Sequence, residues 1–546
     1  MRHRAALLSV LLTCVLVSSC GGGGSGDAGT GTSAPPTGGG SSTPAQPTDI
    51  LTYKYDAMRS GANLTESVLT TQNVNSTSFG LLRFLPTDGK VDAQPLYLSG
   101  LSINGASHNV VYVATENDSV YAFDADSGTQ LWHSSLLGAG ESPPSNTDVG
   151  CTQVTPVIGV TATPVIDRAA GAHGTLFVVA MSVLDSTYHQ RLHALDVTTG
   201  AELLDGPMEI AATYPVSGGT MTFDPHAYEE RAALLLSQGT LYTSWTSHCD
   251  IQPYSGWVIA YSESTLSQRA VFNAAPNSGH KGPAIWMAGG GPAADPAGNV
   301  YLLTANGGFE TTLNADGFPS QGDYGNSFLK LTLGGGTLAV ADYFAMYNEV
   351  AESGVDEDLG SGGILLLPDF TDSSGTSRQL AVGAGKDGNL YVVDRNSMGK
   401  FSTSANNIFQ ELDGALGAGI WSTPAYFDNT VYYGPNGGQL LSFGISQAKL
   451  APGSHTAKAF AYPGTAPSVS ANAAANGIVW AHENSDPAVL HAYAAGNLAT
   501  ELYNSSQAGS RDQFGAGNKF ITPVVADGKV FVGSVNGVAV FGLLGN

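Results

Sequence analysis

A short apolar strand followed, after a few turn residues, by a second strand recurs eight times along this chain. The clearest copy runs from Val111 to Trp132, and the next from Leu176 to Leu203. Both end in the frame A-x-D-x-x-x-G, as Ala122, Asp124 and Gly128 and again as Ala194, Asp196 and Gly200. The other copies fall at 241–264, 300–333, 380–394, 430–444, 477–495 and 529–543. β-branched and aromatic residues fill the strands, as a pleated buried surface requires. Turn pairs such as Asp387-Gly388, Asn436-Gly437 and Asn536-Gly537 join them. A strand repeat of this period cannot bury both of its faces alone. It predicts an all-β fold, an eight-bladed β-propeller whose units close radially, with seven blades as the alternative count.

The first 49 residues stand outside that pattern. Arg2 and Arg4 precede an apolar run from Ala5 to Val17, too short to span a bilayer, as in an export signal. Residues 1–20 close on Val17-Ser18-Ser19-Cys20, which resembles a bacterial lipobox with Cys20 as the lipidated residue. Gly21 after it favours the outer membrane. Residues 21–49 are Gly, Ser, Thr and Pro with almost no large apolar side chain, and read as a flexible tether. The expected order is signal peptide 1–20, tether 21–49 and propeller 50–546.

Net charge is −24 with 21 Lys+Arg, so the basic footprint of a nucleic-acid binder is missing. Anionic lipid headgroups are poor partners for the same reason; membrane attachment would be by the lipid alone. Cys151 and Cys249 are the pair left in the folded part, and in an oxidising compartment such a pair is read as a disulfide. No Ser-His-Asp order or G-x-S-x-G argues for a hydrolase. The Gly-rich stretches lack the Lys-Ser/Thr of a phosphate loop.

The frame extended to Trp132 resembles the tryptophan-docking repeat of pyrroloquinoline quinone (PQQ) propellers. That superfamily includes quinoprotein alcohol dehydrogenases and BamB-type outer-membrane lipoproteins. The repeat implies architecture only. Four further segments resemble the dehydrogenases in chain order. Ser247-His248-Cys249-Asp250 resembles a stretch whose Glu binds calcium, with Asp250 in its place. Asn306, in Tyr301 to Gly307, matches a second calcium ligand. Asp358, with Asp356 in reserve, falls where the family carries its catalytic base, beside the metal. Lys386, in Gly385 to Arg395, matches the residue that hydrogen-bonds the quinone carbonyls.

By the same resemblance Ser247, Trp286 and Trp421 border the quinone, although neither Trp has a clean motif. The resemblance thus implies metal ligands Asp250, Asn306 and Asp358, catalytic residues Asp358 or Asp356, and cofactors PQQ and Ca²⁺. There are departures. Asp replaces Glu, Ile420 replaces an Asn, and the adjacent Cys pair of the family is missing. A Cys151–Cys249 bond would stand in as a lid, or would plug the pocket. No C-x-x-C-H is present, so no haem c is expected. Two classes remain open. One is a dehydrogenase acting on an alcohol or sugar, with a separate electron acceptor. The other is a non-catalytic scaffold for envelope proteins.

Overall fold

A computed structural model describes residues 48–279 and 282–545. The signal, Cys20 and nearly all of the tether lie outside these residues. Eight sheets, antiparallel but for the short parallel pairing of Ala62–Asn63 with Ser468–Asn472, make up an eight-bladed β-propeller. Blade 1 shows the plan: Leu96–Ile103 innermost, then Ala106–Thr115, Ser119–Asp124 and Gln130–Ser135 outward. The hairpins legible in the sequence are the second and third strands of each blade, not its outer edge. Their residues are buried on both faces, as in Ser119–Asp124 and Leu390–Asp394. Alternation is lost there because each face packs on a neighbouring blade. The core is accordingly divided between blades. One cluster joins Leu98 and Tyr112 of blade 1 to Val178 and Leu195 of blade 2. Another joins Val111 and Phe123 of blade 1 to Phe531 and Val540 of blade 8.

The repeat motif has a direct mechanical reading. Asp124 Oδ1 accepts the backbone N–H groups of Asp126 and Ser127, which fixes the turn, and Gly128 takes φ +80°. Trp132 then donates its indole N–H to the Val197 carbonyl of blade 2 at 3.1 Å. Its ring lies so close to Gly200 that a Cβ there would sit 2.5 Å from it. The Gly of one repeat is therefore the seat for the Trp of the one before.

Two features were not legible in the repeat. Phe79–Pro86 forms the outermost strand of blade 8, paired from Phe79↔Leu543 to Pro86↔Gly537, so the two ends of the described chain close the ring. Residues 50–63 contact the inner strand of every blade in turn. Ile50 bonds Tyr97, and Leu51 accepts from Ile166. Arg59 donates to Leu234. Ala57, Met58, Ser60 and Gly61 accept from Ala294, Leu366, Tyr426 and Val469. Asn63 donates to Val525. Because inner strands line the axis of a propeller, this segment lies across the central channel. The fully buried Arg59 also donates to Pro292 O, Thr52 Oγ1 and Tyr53 O. Lys54, equally buried, donates to the Pro467 carbonyl.

Candidate active site

The sequence-selected residues sit in two kinds of connection, those entering an inner strand and those leaving a second strand. In antiparallel sheets these lie at the same end of the blades, so all of them face one end of the channel. Cys249 and Asp250 follow Thr240–Ser247 of blade 3. Asn306 follows Val300–Leu303 of blade 4. Asp356 and Asp358 follow a short helix, Glu349–Ser353, on the way into blade 5. Lys386 follows Leu380–Ala384, and Trp421 precedes Ala425–Phe427 of blade 6.

Four of these residues form one hydrogen-bonded group. Lys386 Nζ lies 2.5 Å from Asp358 Oδ2 and 2.9 Å from Asp356 Oδ2. The Asn306 N–H donates to Asp358 Oδ1 at 2.7 Å, and its side-chain amide donates to Asp356 Oδ1 at 2.9 Å. The backbones are locked as well: Lys386 N–H donates to the Asp358 carbonyl at 2.9 Å. Gly385 is required beside it, because a Cβ there would stand 2.3 Å from that carbonyl oxygen. Asp358 is buried, its side chain 4% exposed, whereas Asp356 is 66% exposed. Burial raises the Asp358 pKa above the usual carboxylate range, against the opposing pull of Lys386 and the Asn306 N–H. Burial also opposes the Lys386 charge, but Asp358 and Asp356 outweigh it and hold its pKa above the ordinary value.

A cavity of about 340 Å³ opens beside this group, within the range of small-molecule sites. Ser247, Asp250, Asp356, Lys386, Trp286 and Trp421 all line it, so the fold brings the residues named from the sequence to one place. Asn306 and Asp358 stand behind Asp356 and Lys386. Cys249 is on the wall, bonded to Cys151 from the connection between blades 1 and 2, with Cα atoms 5.5 Å apart. Cys249, Asp250 and Asp356 all have positive φ, at 50°, 54° and 66°. Such backbone strain in non-glycine residues clusters at functional sites.

Sequence reasoning missed several lining residues. Arg231 is buried, pairs with Glu229 at 3.3 Å and lies 4.6 Å from the ring centre of Phe520. Glu229 also faces His248 at 3.4 Å. Tyr462 meets Trp421 edge-on at 5.9 Å. The run Tyr228-Glu229-Glu230-Arg231 was the available signal, since so low-charge a chain rarely places three charges together without cause.

The cavity offers flat apolar walls from two indoles and a phenyl ring, and its lining charges are Arg231 and Lys386 beside the carboxylates of Glu229, Asp250 and Asp356. The metal set fits less well. Asp250 is held by the Tyr254 hydroxyl at 2.9 Å and by Ser247 at 3.3 Å, apart from the other group. Lys386 occupies the place between Asp356 and Asp358 where a cation would sit. Among the described residues no three acidic, His or Cys side chains are arranged to hold a metal.

The sequence matches the family described as outer membrane protein assembly factor BamB over residues 57–154 and 117–274. No curated protein matches it. Among solved structures, the quinohemoprotein alcohol dehydrogenase from Comamonas testosteroni is similar with a TM-score of 0.60 at 14% identity, covering 91% of this chain and 80% of that one. The quinohemoprotein alcohol dehydrogenase ADHIIG from Pseudomonas putida HK5 gives the same figures. A europium-containing methanol dehydrogenase gives a TM-score of 0.55 at 14% identity, covering 91% of this chain and 98% of that one. At such identities the likeness establishes the fold.

Proposed function

We propose that this chain is a PQQ-like β-propeller repeat protein, whose axial cavity takes pyrroloquinoline quinone and oxidises an alcohol or a sugar. The observation that carries this reading is Lys386, paired with Asp356 and Asp358 on the wall of a cavity between Trp286 and Trp421. Bound there, the quinone supplies a two-electron acceptor for hydride. Trp286 and Trp421 would hold its flat ring, and Arg231 and Lys386 would meet its carboxylates and carbonyl oxygens.

Of the two aspartates paired with Lys386, Asp356 is the one that lines the cavity, so it is the better placed to take the hydroxyl proton of the substrate at an Oδ atom. Asp358 fixes Lys386 and is a positioning residue in this scheme. That reverses the order of preference drawn from the sequence, on exposure alone. Electrons leave to a separate acceptor. Residues 1–49 would export the protein and hold it to the outer membrane through Cys20.

A second reading, a non-catalytic scaffold for envelope proteins, is favoured by the BamB-type match and by the self-compensated Lys386 group. One experiment separates the two. The purified protein is titrated with PQQ and Ca²⁺, and the bound-quinone spectrum and dye reduction with a panel of alcohols and sugars are measured. Saturable binding and dye reduction, both lost in Lys386→Met, support the enzyme. No binding at micromolar PQQ leaves the scaffold.

A further inference from the structure

The connections that leave an inner strand lie at the other end of the blades from the candidate active site. There a cavity of about 880 Å³ opens across four neighbouring blades. Asp295 and Pro296 belong to blade 4, Pro368 and Asp369 to blade 5, Phe427 and Asp428 to blade 6, and Ala473 and Ala474 to blade 7. Its floor is the segment that crosses the channel, of which every second residue from Asp56 to Leu64 lines the cavity. A cavity of this volume holds a sizeable organic ligand.

Three kinds of surface meet there. Arg395 is buried, its side chain 4% exposed, and lines the wall where blade 5 adjoins blade 4. Its guanidinium donates to the Leu367 carbonyl at 3.2 Å, and its ion-pair partner, Asp295, stands 4.0 Å away. Asp295 is already engaged, since its oxygens accept the N–H groups of Ala297 and Asn299, the Asn299 amide and the Tyr301 hydroxyl. A guanidinium carries five donors in a fork that matches a carboxylate, so Arg395 has donors to spare. Met58, Leu366, Tyr426 and Phe427 form the apolar part. Asp369 and Asp428 are exposed at the rim, the second of them on the blade after that of Arg395.

A simple anion placed here would meet Asp56, Asp295, Asp369 and Asp428 as well as Arg395. A simple cation would leave the buried guanidinium unmet. A ligand that carries both charges on an apolar body satisfies both. We propose that this cavity binds the free carboxyl end of a short peptide, with the terminal carboxylate on Arg395, an apolar last side chain against Tyr426 and Phe427, and a basic residue upstream at Asp428. Ser60 and Gln379 add a hydroxyl and an amide to the wall, which suit a peptide backbone. The site lies at the opposite end of the channel from the quinone cavity and does not rest on the oxidoreductase reading.

The test titrates the purified protein by calorimetry with Lys-Ala-Phe, with its carboxyl amide and with Glu-Ala-Phe. Lys-Ala-Phe is expected to bind saturably, and the other two roughly tenfold or more weakly. Arg395→Gln should abolish the preference for the free carboxylate and keep that for Lys over Glu; Asp428→Asn should do the opposite. If Arg395→Gln folds poorly by circular dichroism, Ala474→Trp sets a bulky ring on an exposed position of the same wall and should weaken Lys-Ala-Phe about tenfold. No saturable heat from Lys-Ala-Phe, equal binding of the acid and the amide, or binding indifferent to Asp428→Asn and Ala474→Trp would overturn the proposal. Decanoate bound as tightly as the peptide would make this a site for apolar acids and overturn it as well.

Discussion

The Lys386 ammonium lies 2.5 Å from the buried Asp358 carboxylate, and its second carboxylate partner, Asp356 at 2.9 Å, is largely exposed. Removing the cation alone strands a desolvated negative charge, which costs about 3–5 kcal/mol where a buried pair is broken. Lys386→Met is thus expected to lower stability by that order in chemical denaturation. Asp358→Asn added to it should recover much of the loss, because no charge is then left unpaired. If the single and double variants prove equally unstable, the pair is not coupled as the geometry implies.

Glu349 makes stability depend on pH. Burial, with Glu352 adding to it, raises its pKa from 4.5 to about 8. The folded state holds the proton that the unfolded chain has released above its ordinary pKa. The stabilisation from this group is thus complete below about pH 4.5 and is lost as pH rises towards 8. Glu349→Gln should match the parent near pH 5 and exceed it by about 2–4 kcal/mol near pH 8.5. Thermal midpoints at the two pH values read this directly; a difference independent of pH would refute it.

The disulfide ties connections that are 98 residues apart. Cross-linking a loop of that length restrains the unfolded chain, so replacing Cys151 and Cys249 by Ser should cost about 2–4 kcal/mol. Cys249 lines the cavity, and the same variant should exchange a bound quinone faster. Stopped-flow dissociation checks the second effect separately from the first.

The eight hairpins were legible because their second and third strands carry long apolar runs joined by Asp-Gly and Asn-Gly turns. Inner strands such as Val524–Ala526 and Leu365–Leu366 have only two or three residues, too few to show a period. Phe79–Pro86 pairs with a strand more than 450 residues away, and no local pattern encodes such a partner. At the site, Lys386 and Asp358, with Asp356 in reserve, stood out because their segments resemble those of the dehydrogenases in chain order. Glu349 did not, since a carboxylate in a five-residue helix looks like solvated surface until the fold buries it. The count of metal ligands was the least legible. Three oxygen-bearing residues on neighbouring blades can share an end of a propeller without sharing a point in space, and Asp250 turns to Tyr254 instead.

Residues 50–63 hold all eight inner strands together, and Arg59 is the charge at their centre. Its guanidinium makes four hydrogen bonds, three to backbone carbonyls of its own segment and of blades 3 and 4 and one to Thr52. With no carboxylate in direct contact, burial lowers its pKa to about 10, so it stays charged at neutral pH and depends on those oxygens. Arg59→Met keeps much of the volume and leaves three buried carbonyls unsatisfied, at about 1–3 kcal/mol for each such group. A loss of about 3 kcal/mol or more is expected, spread over the ring because the segment touches every blade. Hydrogen exchange is the discriminating measurement. Protection should fall in the inner strands of blades 1 to 8 together, whereas a loss confined to blades 3 and 4 would mean that the segment is a local plug and not a clasp.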